Sequence, residues 1–144
     1  MILGVTGSRV FQANPPFNKR ATVNLFTEAL NVLKPDMVVH GGAQGPDMWA
    51  NAWAKGRGVA SRVILPTNHT KQGYLARDRQ IIMSGIDKLL VCWDEKSGGT
   101  GYTYDFAAGE GVECVTVPIL THRLDGTESE TVRRYRREWL AQLL

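Results

Sequence analysis

The chain has 144 residues, 43% of them hydrophobic and 22% charged, the make-up of one globular domain large enough to bury a core. A formal charge of +3 and a pI near 9.0 are only mildly basic; they admit an anionic partner without demanding a nucleic acid. No apolar run nears the roughly 20 residues that span a bilayer, and Met1-Ile2-Leu3-Gly4 lacks the charged start of a signal peptide, so a cytosolic protein with no membrane partner is expected.

In chain order, Met1 to Thr6 is short, apolar and followed by Gly7-Ser8, as a central strand would be. Turn formers fill Gln12 to Asn18. Lys19 to Lys34 carries Val23, Phe26, Leu30 and Leu33 at helical spacing, and Pro35 stops it. Asp36 to His40 is the second strand. Pro46 opens a second helix that runs to Lys55; Trp49 and Trp53, one turn apart, read as core or subunit-interface packing. Gly56 and Gly58 end it, and Ala60 to Leu65 is strand three. Thr67 to Gln72 is polar and loop-like, and Tyr74 to Ser84 fits a third helix carrying Arg77 and Asp78. Asp87 to Trp93 is the most apolar strand, as a strand covered on both faces requires. The Asp94 to Gly101 loop leads to a short helix through Phe106 and Ala107, and Val112 to Val117 is strand five. The two cysteines, Cys92 and Cys114, sit in these apolar runs and read as buried thiols; no metal-ligand or redox spacing occurs, and neither a metal nor a cofactor is expected.

The tail differs in kind. Thr127-Glu128-Ser129-Glu130 is a capping box. The helix after it places Val132, Tyr135, Trp139 and Leu143 on one stripe and Arg133, Arg134, Arg136 and Arg137 on the other side. Packing on the sheet is the first reading of that stripe, a homo-oligomer contact the second, and nucleic-acid binding by the arginines the third, since three glutamates dilute the field.

Strands alternating with helices imply right-handed crossovers and a doubly wound parallel sheet. In the order 3-2-1-4-5, the strand order reverses between strands one and four, and ligands bind outside the carboxyl ends there. Three small-residue loops meet at that place: Gly7-Ser8-Arg9, Gly41-Gly42-Ala43-Gln44-Gly45-Pro46-Asp47, and Ser97-Gly98-Gly99-Thr100-Gly101. None is a spaced dinucleotide fingerprint or a Walker loop. Backbone N–H groups of Gly41, Gly42, Gly99 and Thr100, with the hydroxyls of Ser8, Ser97 and Thr100, suit phosphate or ribose oxygens. Arg9 and Arg77 suit charge-assisted contacts to phosphate. Asp47 either complements its helix dipole or accepts from a ribose hydroxyl. His40 reads as a packed strand-end histidine, with proton transfer as the alternative, and Asp94 ends strand four at the same crevice.

Gly7-Ser8-Arg9, Gly41-Gly42-Ala43-Gln44-Gly45-Pro46-Asp47, Arg77-Asp78, and Asp94 with Ser97-Gly98-Gly99-Thr100 together resemble the SLOG superfamily, and within it the YspA-like group. The resemblance covers about residues 1 to 118. It implies a Rossmann-like fold over residues 1–120, with 121–144 a C-terminal amphipathic helical extension, and a nucleotide or nucleotide-derived ligand. Relatives include the LOG-type phosphoribohydrolases and the DNA-processing protein DprA. The hydrolases carry paired glutamates soon after their Pro-Gly-Gly-x-Gly-Thr motif, whereas here Thr100 is followed by no glutamate until Glu110. The sequence therefore favours a binder or sensor of a nucleotide-derived molecule. A hydrolase of an N-glycosidic or phosphoester bond is the alternative, with its catalytic residues unassigned, and DprA-like binding of single-stranded nucleic acid comes third.

Overall fold

A computed structural model describes residues 1–8, 19–93 and 98–119, together with Arg137. The C-terminal extension, the loop holding Arg9, and Asp94 to Ser97 otherwise lie outside the described residues. The elements alternate as β1 (Ile2–Gly7), α1 (Lys19–Leu33), β2 (Met37–His40), α2 (Pro46–Arg57), β3 (Ala60–Val63), α3 (Lys71–Met83), β4 (Lys88–Trp93), α4 (Gly98–Gly109) and β5 (Glu113–Pro118). All strands pair in parallel in the order β3-β2-β1-β4-β5, as the sequence predicts.

The period of two along the strands splits the core into two layers. Leu3, Val5, Leu90 and Cys92 face α1 and α2, where they meet Leu25, Phe26, Ala29, Leu30 and Ala50. Leu89 and Val91 face the other way, onto Ile81, Ile82 and Ala107 of α3 and α4. A sheet buried on both faces demands just such unbroken apolar runs, and burying each large side chain contributes about 1.5–3 kcal/mol. The tryptophans pack as expected: Trp49 meets Phe26 edge to face at 5.7 Å, and Trp53 donates its ring N–H to Asn31 Oδ1 at 3.0 Å under the Arg57 guanidinium. The cysteines are free thiols; burial raises the pKa of both, fully for Cys92 in the first layer and partly for Cys114. Among the described residues, no helix is long and apolar enough to cross a membrane.

Several boundaries differ from the sequence expectation, and two of the differences, both helix starts, shape the crevice. The third helix begins at Lys71, inside the stretch read as loop, because Thr70 caps it by accepting from the Gly73 amide at 3.1 Å. The fourth begins at Gly98, so Gly98-Gly99-Thr100-Gly101 is a helical first turn and not a loop. Strand three stops at Val63 rather than Leu65 and is exposed along its whole length, as the sheet edge.

Gly7 fixes how close α2 comes to the end of β1. A Cβ there would lie 2.8 Å from Pro46 Cβ, closer still to its Cγ, and 3.1 Å from the Cys92 carbonyl oxygen. Proline ring and strand backbone are both stiff, so one of them must move. We expect Gly7→Ala to cost about 1–3 kcal/mol, the usual penalty of overpacking. Urea unfolding checks this; an unchanged midpoint would show that the β1–α2 contact is loose.

Candidate functional site

The carboxyl ends of β1 and β4, where the strand order reverses, open into a cleft of about 540 Å³. Its lining includes Gly7 and Ser8 from the end of β1, Ala43 and Asp47 from the β2–α2 turn, and Gly99 and Thr100 from the first turn of α4. One flank of α3 closes it with Lys71, Tyr74, Leu75, Arg77, Asp78 and Ile81. The size and mixed lining suit a small ligand held by a few polar groups. A smaller hollow of about 370 Å³ shares Ala43, Tyr74 and Arg77 with it and adds Gly41, Gly42, Gly45, Trp49, Leu65 and His69.

The β2–α2 turn is held from within. Asp47 is 6% exposed, and its Oδ2 accepts from the Gly41 amide at 3.0 Å and from the Ala43 amide at 3.1 Å. The Gly42 amide, at φ +72°, donates to His40 Nδ1 at 3.0 Å. The Gly41 and Gly42 amides expected to meet a phosphate therefore already have partners inside the turn. Asp47 ties the turn down as well as sitting in the first turn of α2.

His40 is the packed strand-end histidine of the first reading. It is 1% exposed and lines neither cavity. With Nδ1 accepting from Gly42, its proton sits on Nε2, which donates to Ser61 Oγ at 3.2 Å, and Ser61 donates to Asn51 Oδ1 at 2.8 Å. Burial lowers its pKa, with the nearby Arg77 charge acting the same way against the Asn51 contact, so the neutral form persists.

Arg77 locks α3 to the turn. Its Nη1 donates to the Gly41 carbonyl at 2.6 Å and its Nε to Asp78 Oδ1 at 2.7 Å, and its guanidinium lies 5.8 Å from the Tyr74 ring centre. A Cβ on Gly41 would come within 2.8 Å of Arg77 Nε, so only glycine admits the guanidinium there. Asp78 Oδ2 accepts from Thr103 Oγ1 at 2.9 Å, and the same hydroxyl reaches the Gly99 carbonyl at 3.0 Å. One polar chain thus runs from the β2 turn through α3 to the first turn of α4, across the wall of the cleft.

Ser8 stands out in this network. It is 1% exposed, it lines the cleft, and its Oγ has no hydrogen-bond partner among the described residues. Its amide donates to the Cys92 carbonyl at 2.9 Å, which fixes it between β1 and β4. A buried hydroxyl without a partner costs about 1–3 kcal/mol, and the same lining holds Gly99 and Thr100, in a helical turn whose first amides have no intrahelical acceptor.

Of the residues singled out from sequence, Gly7, Ser8, Ala43, Asp47, Arg77, Gly99 and Thr100 meet at the cleft. Gly41, Gly42 and Gly45 border the smaller hollow instead, and Gly98 borders neither. Arg9, Asp94 and Ser97 lie outside the described residues. Sequence reasoning missed Lys71, Tyr74, Leu75 and Ile81. Tyr74, Leu75 and Ile81 share one face of the helix expected from Tyr74, and Lys71 joins that face only once the helix starts there. Among the described residues, no group of His, Cys, Asp and Glu could hold a metal ion.

Parallel order, helices on both faces and a crevice at the reversal define a Rossmann-like doubly wound α/β domain. No family model and no curated protein matches the chain. Among solved structures it is similar to DNA processing protein A (DprA) from Streptococcus pneumoniae, with a TM-score of 0.64 at 17% sequence identity. The match covers 94% of this chain and 56% of that one, so the chain spans little more than half of that structure. A likeness at this identity establishes a DprA-like fold.

Proposed function

We propose that the cleft binds a nucleotide or nucleotide-derived small molecule, as the SLOG-type and YspA-like motifs suggest. The observation that carries this reading is the Ser8 hydroxyl, buried and unpartnered among the described residues, in a cleft also lined by the first turn of α4. A phosphate oxygen would accept from that hydroxyl and from the α4 amides at once, and the helix dipole favours its charge. Lys71 adds positive charge to the same lining, where Arg77 balances Asp78. Leu75 and Ile81 with the Tyr74 ring offer an apolar surface of the kind a base needs.

The test is thermal unfolding with a panel of nucleotides, cyclic nucleotides and ADP-ribose derivatives. A ligand at about 100 times its Kd should stabilise the protein by roughly 2.7 kcal/mol. Ser8→Ala should remove half or more of that gain without lowering the melting temperature of the free protein, because the hydroxyl has no partner to lose among the described residues. No shift from any compound at millimolar concentration would remove the reading.

The likeness to a DNA processing protein supports a second reading, binding of single-stranded nucleic acid in the same crevice. That reading requires affinity that rises with strand length and falls with salt, by a slope of about 0.7 per phosphate engaged. We rank it second because the whole-chain charge is only +3. Bond cleavage ranks behind both, since no glutamate pair follows Thr100.

A further inference from the structure

Asp47 does more in the cleft than hold its turn. Its Oδ2 takes both turn amides, while its Oδ1 has no hydrogen-bond partner among the described residues. The other carboxylate in the lining, Asp78, is fully engaged, Oδ1 by Arg77 and Oδ2 by Thr103. Asp47 is 94% buried by its 6% exposure, so what it meets at Oδ1 is decided inside the cleft and not by bulk water.

A lone carboxylate oxygen in an otherwise donor-rich cleft makes a demand on the ligand. Ser8, the first turn of α4 and Arg77 suit acceptors, whereas Asp47 repels a phosphate and requires a hydrogen-bond donor. Asp47 also sits next to the anion-binding end. The close approach of Pro46 to Gly7 brings the first turn of α2 against the strand end that carries Ser8. On a nucleotide, the donors nearest the phosphate are the sugar hydroxyls; the base lies beyond them, toward the apolar flank of α3.

We infer that Asp47 reads the sugar, its free oxygen accepting from a ribose hydroxyl, so that the cleft selects ribonucleotides over their deoxy counterparts. This rests on the nucleotide reading above. A site built to accept a hydroxyl rejects the analogue lacking it, because a buried acceptor is left unpaired. The expected discrimination is about tenfold or more, the worth of a hydrogen bond to a charged group.

The experiment is calorimetric titration with the four ribonucleoside diphosphates and their 2′-deoxy and 3′-deoxy forms, on the wild type and on Asp47→Asn. Asparagine keeps a carbonyl oxygen for the two turn amides and turns the outward acceptor into a donor. The inference expects one deoxy series to bind about tenfold more weakly than the ribo series, and expects the variant to lose that preference. Equal binding of all three series by the wild type overturns the inference while the nucleotide reading stands. A preference that survives Asp47→Asn overturns it too. Binding of no diphosphate at all overturns the inference, and the nucleotide reading falls with it when the whole panel above also gives no shift.

Should the variant not fold, the wild type decides the matter by its pH dependence. The ratio of ribo to deoxy affinity cancels the titration of the ligand's own phosphates. Among the described residues, the charged groups that line the cleft with Asp47 are Arg77, Asp78 and Lys71. Neutralising Asp47 at acid pH should bring the ratio toward one, and a ratio constant from pH 5 to pH 8 overturns the inference.

Discussion

Arg77→Ala is expected to destabilise the free protein by about 3–5 kcal/mol, the range for removing one partner of a buried ion pair. The magnitude follows from what the substitution strands. Arg77 is 6% exposed, and Asp78 depends on it at 2.7 Å while itself largely buried. The Gly41 carbonyl loses its donor in the same stroke. The pair is also the link between α3 and the β2 turn, so the cleft wall should loosen with it. Arg77→Lys should recover only part of the loss, because a point charge cannot serve Asp78 and the Gly41 carbonyl with one planar fork. Denaturant unfolding of both variants is the measurement. A loss below 1 kcal/mol for Arg77→Ala would mean that Arg77 serves a ligand and not the fold.

That expectation corrects the weight placed on Arg77 from sequence. An arginine beside a crevice invites a phosphate, and nothing in the local pattern shows that one of its donors is already committed to Gly41, 36 residues away, and another to the adjacent Asp78. The same blindness applies to Asp47. Its position in the first turn of α2 is legible, but its bonds back to Gly41 and Ala43 depend on the reversal of the chain between them, which no periodicity encodes. The fold was far more open to reading. Runs such as Leu89 to Cys92 are apolar at every position because helices cover both faces, and that alone dictates parallel pairing and a crevice at the strand ends. Helix starts were the weak point. Thr70 is an ordinary capping residue, yet Gly73 stands where a capping box would carry glutamate, and Gly98-Gly99 opens α4 with the poorest helix former short of proline. Those two misread starts account for Lys71 and for the turn that holds Thr100.

Asp47 also sets how stability depends on pH. Burial pushes its pKa from the usual 3.8 up to about 6, and outweighs the two turn amides and the Arg77 charge, which pull the other way. A folded-state pKa above the unfolded one means that the folded protein binds the proton more tightly. The contribution is therefore fully present below about pH 4 and lost as pH rises through 6. A shift from 3.8 to about 6 corresponds to about 3 kcal/mol between the two limits. Asp47→Asn mimics the neutral acid at every pH and keeps the acceptor for Gly41 and Ala43. We expect the variant to match the wild type near pH 4 and to exceed it increasingly up to pH 7, by about 3 kcal/mol once Asp47 is ionised. Urea unfolding of both proteins at half-unit intervals from pH 4 to pH 8 gives the difference curve directly. A flat curve would mean that the cleft solvates Asp47 as water does. A curve of opposite slope would mean that the turn amides and Arg77 win, and that the carboxylate is held charged for the ligand at no cost to the fold.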